Sequence, residues 1–204
     1  MKNEPDFYRY VLAYDDGWAP CIDGGLVTLA TCKPRIRRGA EVGDWVAGFY
    51  PGSQNRGVVA WVGRVASKLA IGDYEKTYRG RRDAVYRPKF DGTVERLKPG
   101  YHPDANEIRK DLSAPVLVFD ESATWFFGDT PYELPVDLLP LAARGQGHRV
   151  RLRLPDDLDR LQQWLRGIAP AGIYGKPRMQ AKLDGCGGCV PKGACREVKS
   201  SRGC

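Results

Sequence analysis

The stretch from Leu26 to Gly52, LVTLATCKPRIRRGAEVGDWVAGFYPG, decides how the rest of the chain is read. Gly25 to Thr31 is apolar and branched, and reads as a strand. It runs into four cations, Lys33, Arg35, Arg37 and Arg38, interrupted by Pro34. A Gly43–Asp44 turn follows, then a second apolar strand from Trp45 to Tyr50. In extended chain Lys33, Arg35 and Arg37 share a face and Ile36 turns inward. The planar fork of arginine pairs bidentately with phosphate, and aromatic faces stack on bases. Cations at a strand end beside aromatics are therefore the materials of a nucleotide site. The plainer alternative is a solvated basic loop.

Strand signals continue on both sides. Tyr8 to Tyr14 alternates and closes on Asp15-Asp16-Gly17; Gly57 to Ser67 follows the turn at Gly52 to Arg56. Four strands joined by short Gly- and Asp-containing turns predict an antiparallel meander or small barrel. Residues 73 to 111 are polar, basic and punctuated by Gly and Pro, and read as a long connection, functional or mobile. Pro115 to Asp120 and Ala123 to Phe127 are two further strands, and Arg149 to Leu154 an edge strand. Pro155 opens a helix that Gly167 ends, with Leu158, Leu161, Leu165 and Ile168 as its buried stripe. The fold expected is α+β, mainly β: a small barrel with a few helices over residues 1–170, then a cysteine-rich tail, 171–204.

Composition bounds the function. The 204 residues are 42% hydrophobic, enough for a packed core, and no apolar run approaches the roughly 20 residues that span a bilayer. No signal-peptide pattern opens the chain, so the expectation is a cytoplasmic, non-membrane protein. The net charge of +7 favours anionic partners, nucleic acid first among them, and much of it lies after Lys176. The same tail holds Cys186, Cys189, Cys195 and Cys204. Four clustered thiolates suit a tetrahedral zinc, or an iron–sulfur cluster, with free thiols as the rival. Such a zinc is structural, because four cysteines leave no open position.

Individual residues carry two readings each. Trp18, Trp45 and Tyr86 are core aromatics or walls of a base pocket; Trp18 and Tyr86, in turn or loop contexts, suit the pocket better. Asp15, Asp16 and Asp44 stand at strand ends, where a carboxylate accepts from a base edge or caps its own turn. Cys32, between Thr31 and Lys33, has the cationic setting of a thiolate nucleophile. The two histidines, His102 and His148, are far from it in sequence, so no base is identifiable and a structural thiol is the plainer reading. The catalytic candidates are Cys32, Asp16 and Asp44. The nucleotide-binding candidates are Asp16, Trp18, Thr31, Lys33, Arg35, Arg37, Trp45 and Tyr86.

A resemblance sharpens this. Tyr10-Val11-Leu12-Ala13 followed by Gly17-Trp18-Ala19-Pro20, then Thr28 to Arg37, then Gly43-Asp44-Trp45-Val46, is similar to the bacterial and phage family called nucleotide modification associated domain 2. Weaker likenesses are Ala84 to Arg87 and Trp125 to Gly128. The run Glu41 to Phe49 also resembles an element of PUA-like barrels (PUA, ASCH, EVE and YTH domains). The resemblance implies a PUA-like β-barrel that recognises a modified or flipped-out nucleotide, in DNA or RNA, in a modification or phage-defence setting. The alternatives are an enzyme transforming a base or nucleotide in the same pocket, and a protein-interaction module.

Overall fold

The computed structural model describes residues 4–51, 57–143 and 155–179. Among the described residues, ten strands and four helices follow in chain order: β1 (Phe7–Val11), β2 (Cys21–Asp23), β3 (Leu26–Leu29), α1 (Pro34–Gly39), β4 (Trp45–Phe49), β5 (Val58–Leu69), α2 (Ile71–Thr77), β6 (Tyr86–Pro88), β7 (Val94–Arg96), α3 (Ala105–Leu112), β8 (Val116–Phe126), β9 (Tyr132–Glu133), α4 (Pro155–Ile168) and β10 (Gly172–Ile173). A 3-10 turn, Val136–Leu141, precedes α4. The expected strands in the first half are all present, within a few residues of their expected ends.

Their arrangement is not a closed barrel. Eight strands form an open sheet in the order β1-β4-β5-β8-β3-β2, with β9 beside β5 and β10 beside β8. β1 is parallel to β4, so the expected meander is also corrected: β3 leaves the first strands and pairs with β8 across the sheet. The cause is the basic segment. Pro34 presets φ at the first helical position, and residues 34–39 turn as α1 rather than running extended. The two strands expected between Pro115 and Phe127 are one, β8, which carries irregular register against β5.

Alternation along the strands buries both faces of the sheet. Phe7, Trp45, Phe49, Val62 and Trp125 join Leu158, Leu161 and Leu165 of α4 in one core. Tyr8, Tyr10, Val46, Trp61, Val65 and Phe119 face the other way and pack with Ile36 of α1. Two-sided burial explains why β4 and much of β5 are apolar without a polar alternate. The connection 73–111 is not one long loop. It contains most of α2, the β6–β7 hairpin and most of α3, and its aromatics Tyr86 and Tyr101 form a small cluster with Trp18. The expected edge strand Arg149 to Leu154 lies outside the described residues, as does the turn from Gly52 to Arg56.

Candidate active site

The end of β3 and the start of α1 are joined by a strained turn. Cys32 and Lys33 both have positive φ, 54° and 41°, a region that residues with a Cβ enter at a cost of about 1–3 kcal/mol each. Local structure holds them there. Arg37, one turn into α1, is fully buried and its guanidinium is spent on backbone carbonyls. It donates from Nε to Pro115 O (2.8 Å), from Nη1 to Cys32 O (3.2 Å), and from Nη2 to Asp111 O (2.8 Å) and Ala114 O (2.6 Å). One side chain thus ties the Cys32 turn to the end of α3 and the approach to β8. Burial pulls the guanidinium down to about 10, with Asp111 the main opposing influence, so it stays cationic at neutral pH.

Asp111, buried on α3, faces this turn. Its Oδ1 accepts the Cys32 N–H at 2.7 Å. Its Oδ2 accepts the Tyr86 hydroxyl at 2.9 Å and lies 2.6 Å from His102 Nδ1. The other ring nitrogen of His102, Nε2, lies 3.6 Å from Cys32 Sγ. Thiol, imidazole and carboxylate therefore stand in line. Burial on its own would lower the His102 imidazole, but the bonds to Asp111 and then Cys32 outweigh it and push it up to about 10.

The imidazole is fixed from its faces as well as its edge. Tyr101 stacks on it at 4.0 Å between centroids, Trp18 stacks on Tyr101 at 4.0 Å, and Arg82 lies 4.7 Å from the Trp18 ring. The backbone at His102 is itself left-handed, with φ 47°. Arg96 clamps that loop by donating Nη2 to the carbonyls of Pro99 (2.7 Å), Tyr101 (2.6 Å) and His102 (3.0 Å). The Tyr101 hydroxyl is 2.9 Å from Thr31 Oγ1 and 3.7 Å from Cys32 Sγ. Burial and then the neighbouring Cys32 hold Tyr101 well above the usual tyrosine range, so it remains a phenol able to donate. Beside the sulfur is a cleft of about 70 Å³, lined by Tyr14, Asp16, Cys32, Lys33 and Tyr101 with Ala13 and Ala19.

The expected site residues divide. Asp16, Cys32 and Lys33 line the cleft. Trp18, Thr31 and Tyr86 support it from behind: Trp18 through the ring stack, Thr31 through Tyr101, and Tyr86 through Asp111. Lys33 also lays its ammonium 4.7 Å from the Tyr10 ring. Arg35 is exposed on α1, while Arg37 has no surface to offer a phosphate. Trp45 belongs to the core under α4. Asp44 accepts the N–H groups of Asp6 (2.8 Å) and Glu41 (2.9 Å), which is turn capping. Asp15 is buried, accepts the Tyr50 hydroxyl and the Arg178 N–H, and is raised mainly by that burial. The sequence reading missed His102, Asp111 and Tyr101. The one pointer to them was Cys32 itself, a thiol among cations.

Three donors of this cluster, from Cys32, His102 and Asp111, lie within 4.8 Å of one another, close enough to hold a metal ion. The tail cysteines Cys186, Cys189, Cys195 and Cys204, for which zinc or an iron–sulfur cluster is expected, lie outside the described residues. Among the described residues no helix is long and apolar enough to cross a membrane.

An open α+β sheet with a half-buried thiol beside a buried imidazole and carboxylate at one strand end is thus the class that fold and site define. The family nucleotide modification associated domain 2 matches residues 4–97, which contain the sheet's first half, the Cys32 turn and the β6–β7 hairpin. The name of that family links the matched part to nucleotide modification and, through it, to nucleotide or nucleic acid. No curated protein and no solved structure matches the chain.

Proposed function

We propose that this protein is a nucleotide-modifying enzyme that works through a Cys32 nucleophile. The observation that carries the reading is the line Cys32 Sγ, His102 Nε2, His102 Nδ1, Asp111 Oδ2, at 3.6 Å and 2.6 Å. A nucleophile beside a base that is oriented by a third group is the arrangement covalent catalysis requires, on whatever fold it occurs. Asp111 orients and stabilises the His102 imidazolium, and the Cys32 sulfur, its proton resting on His102, attacks an electrophilic carbon of the nucleotide. The S–C bond forms with the sulfur pair as the carbon's bond to its leaving group breaks, His102 protonates that leaving group, and water then takes the carbon from sulfur, giving its proton to His102. The Tyr101 phenol faces the sulfur and is placed to donate to charge developing on the substrate. Lys33 suits a phosphate, and Asp16 a base edge.

The metal reading is favoured by the donor distances alone. The hydrogen-bond pattern opposes it: the 2.6 Å between Nδ1 and Asp111 leaves room for a proton but not an ion. The sulfur faces the opposite nitrogen. A single ion would need the imidazole to turn.

The test is product analysis. Cellular DNA, cellular RNA and a pool of free nucleotides are each incubated with wild type, Cys32→Ala and His102→Ala. Nucleoside composition is then read by mass spectrometry. Wild type should change at least one nucleoside; Cys32→Ala should abolish the change and His102→Ala reduce it by about 10²-fold or more. A composition unchanged by wild type, or changed equally by Cys32→Ala, overturns the proposal.

A further inference from the structure

The small cleft beside Cys32 holds one open acceptor among donors. At about 70 Å³ it takes the edge of one flat ring rather than a whole nucleoside, so a ligand is recognised by the few atoms around its reacting carbon. Asp16, in the wall, accepts the Trp18 N–H at 3.2 Å through Oδ1. Among the described residues its Oδ2 has neither a hydrogen bond nor an ion pair. An ionised carboxylate only accepts, so whatever meets Oδ2 brings an N–H or O–H of its own. The groups around the sulfur donate. The Tyr101 hydroxyl is 3.7 Å from Sγ, and Thr31 Oγ1, 2.9 Å from the phenol oxygen, can donate to it and leave the phenol proton to the cleft. His102 Nε2 stands 3.6 Å from Sγ on the imidazole that Asp111 holds.

A nucleotide carbon from which sulfur displaces a group carries either an exocyclic amine, on the base, or the base itself, at the glycosidic carbon. The cleft's polar groups choose between them. A ring carbon bearing an amino group, with an unprotonated ring nitrogen beside it, presents a donor and an acceptor on one edge, as cytosine and adenine do. The amino N–H suits Asp16 Oδ2, the ring nitrogen suits the Tyr101 hydroxyl, and the carbon between them is the one left for Sγ. The atoms bonded to a glycosidic carbon offer no N–H or O–H to the carboxylate. An oxo group in place of the amine turns its lone pairs on Asp16 and is repelled.

We infer that the substrate is an amino-bearing base, selected by Asp16, and that the reaction is its hydrolytic deamination through a covalent bond to Cys32. This rests on the Cys32 reading and names the leaving group within it. The sulfur pair attacks the carbon, the C–N bond breaks, and His102 protonates the nitrogen, which leaves as ammonia. Water then adds to the carbon and gives one proton to His102, and the C–S bond breaks with its pair returning to sulfur. The base keeps the oxygen as an oxo group and the second water proton on its ring nitrogen. That oxo group now faces the Asp16 carboxylate, which favours release.

The experiment incubates single-stranded DNA, single-stranded RNA and free nucleotides with wild type, Cys32→Ala and Asp16→Asn in heavy-oxygen water, and measures nucleosides by mass spectrometry together with free ammonia. Wild type should convert an amino-bearing nucleoside to its oxo counterpart, with the label in the new oxygen and an equal amount of ammonia. Asp16→Asn keeps an oxygen for the Trp18 N–H and sets an amide donor in place of Oδ2. It should slow the conversion by about tenfold or more at an unchanged melting temperature. Conversion at the wild-type rate in Asp16→Asn overturns the inference. A Cys32-dependent product of another kind, such as a released base, also overturns it and leaves the Cys32 reading standing. No product from wild type, or one that persists in Cys32→Ala, overturns both.

Discussion

His102 has three kinds of support, from Asp111 at its edge, Tyr101 on its face and Arg96 behind its carbonyl. The proton it holds has a consequence for stability. Its folded value is raised to about 10, against about 6.5 in an unfolded chain, so the folded state binds the proton more tightly. That contribution is fully present below about pH 6.5 and is lost as pH rises through 10. The groups facing the ring are Asp111, Cys32 and the Tyr101 phenol. Replacing it with glutamine should therefore lower the melting temperature most near pH 6, by roughly 4 °C in a chain of this size, and progressively less toward pH 10. Thermal denaturation across that range checks it; a difference independent of pH contradicts the assignment.

Residue chemistry also explains what sequence could and could not show. Cys32 was visible as a thiol among cations, because those neighbours are local. Its base was not, because His102 lies seventy positions away in a loop with no periodic signature. Asp111 lies nine residues beyond His102, on a helix whose other acids are exposed or half-buried. Arg37 was misread for a related reason: charge count does not reveal burial. In extended chain it shares a face with Lys33 and Arg35, whereas in α1 it turns under the sheet with Ile36. Pro34 carried the helix-start signal, and the density of arginines around it obscured that.

At the level of elements, the central pair β4–β5 depends on the absence of a side chain at Gly48. A Cβ there would lie 2.4 Å from Trp61 Nε1 and 3.3 Å from the Tyr10 ring. The Trp61 indole donates to Tyr10 at 3.0 Å, a bond that both rings need because both are buried. Tyr10 is on β1, so the contact also locks the parallel β1–β4 pairing. Gly48→Ala should destabilise the fold by about 1–3 kcal/mol, read as a lower denaturation midpoint in urea without a change in slope. An unchanged midpoint would mean the Trp61–Tyr10 bond contributes nothing. Strand positions were legible in sequence because apolar runs between Gly and Asp turns mark them. Strand order was not: nothing local announces that β3 pairs with β8, some ninety residues on. The barrel expected from short turns opened into a sheet once α1 carried the chain across.

In the whole molecule, one half of the site lies within the family match and the other beyond its end. Cys32 lies within residues 4–97, while Tyr101, His102 and Asp111 lie just beyond it. The matched region supplies the thiol, most of the cleft and the hairpin; the segment leading into β8 supplies Tyr101, the imidazole and the carboxylate beside it. Arg37 and Arg96 join the two by donating to carbonyls on both sides of that boundary. In the mechanism proposed above, the nucleophile lies in one part and its activator in the next, so the unit that would act is the assembled fold rather than any local motif.

The most direct test of this account is the rate of Cys32 alkylation by iodoacetamide at pH 7 in the full chain, followed peptide by peptide by mass spectrometry, with the buried Cys21 as internal reference. Wild type, His102→Ala and Asp111→Asn are compared. The account predicts that Cys32 reacts fastest in wild type, at least tenfold more slowly in both variants, and that Cys21 stays protected throughout. Equal Cys32 rates in all three proteins, with Cys21 still protected, would show that His102 and Asp111 do not activate the thiol.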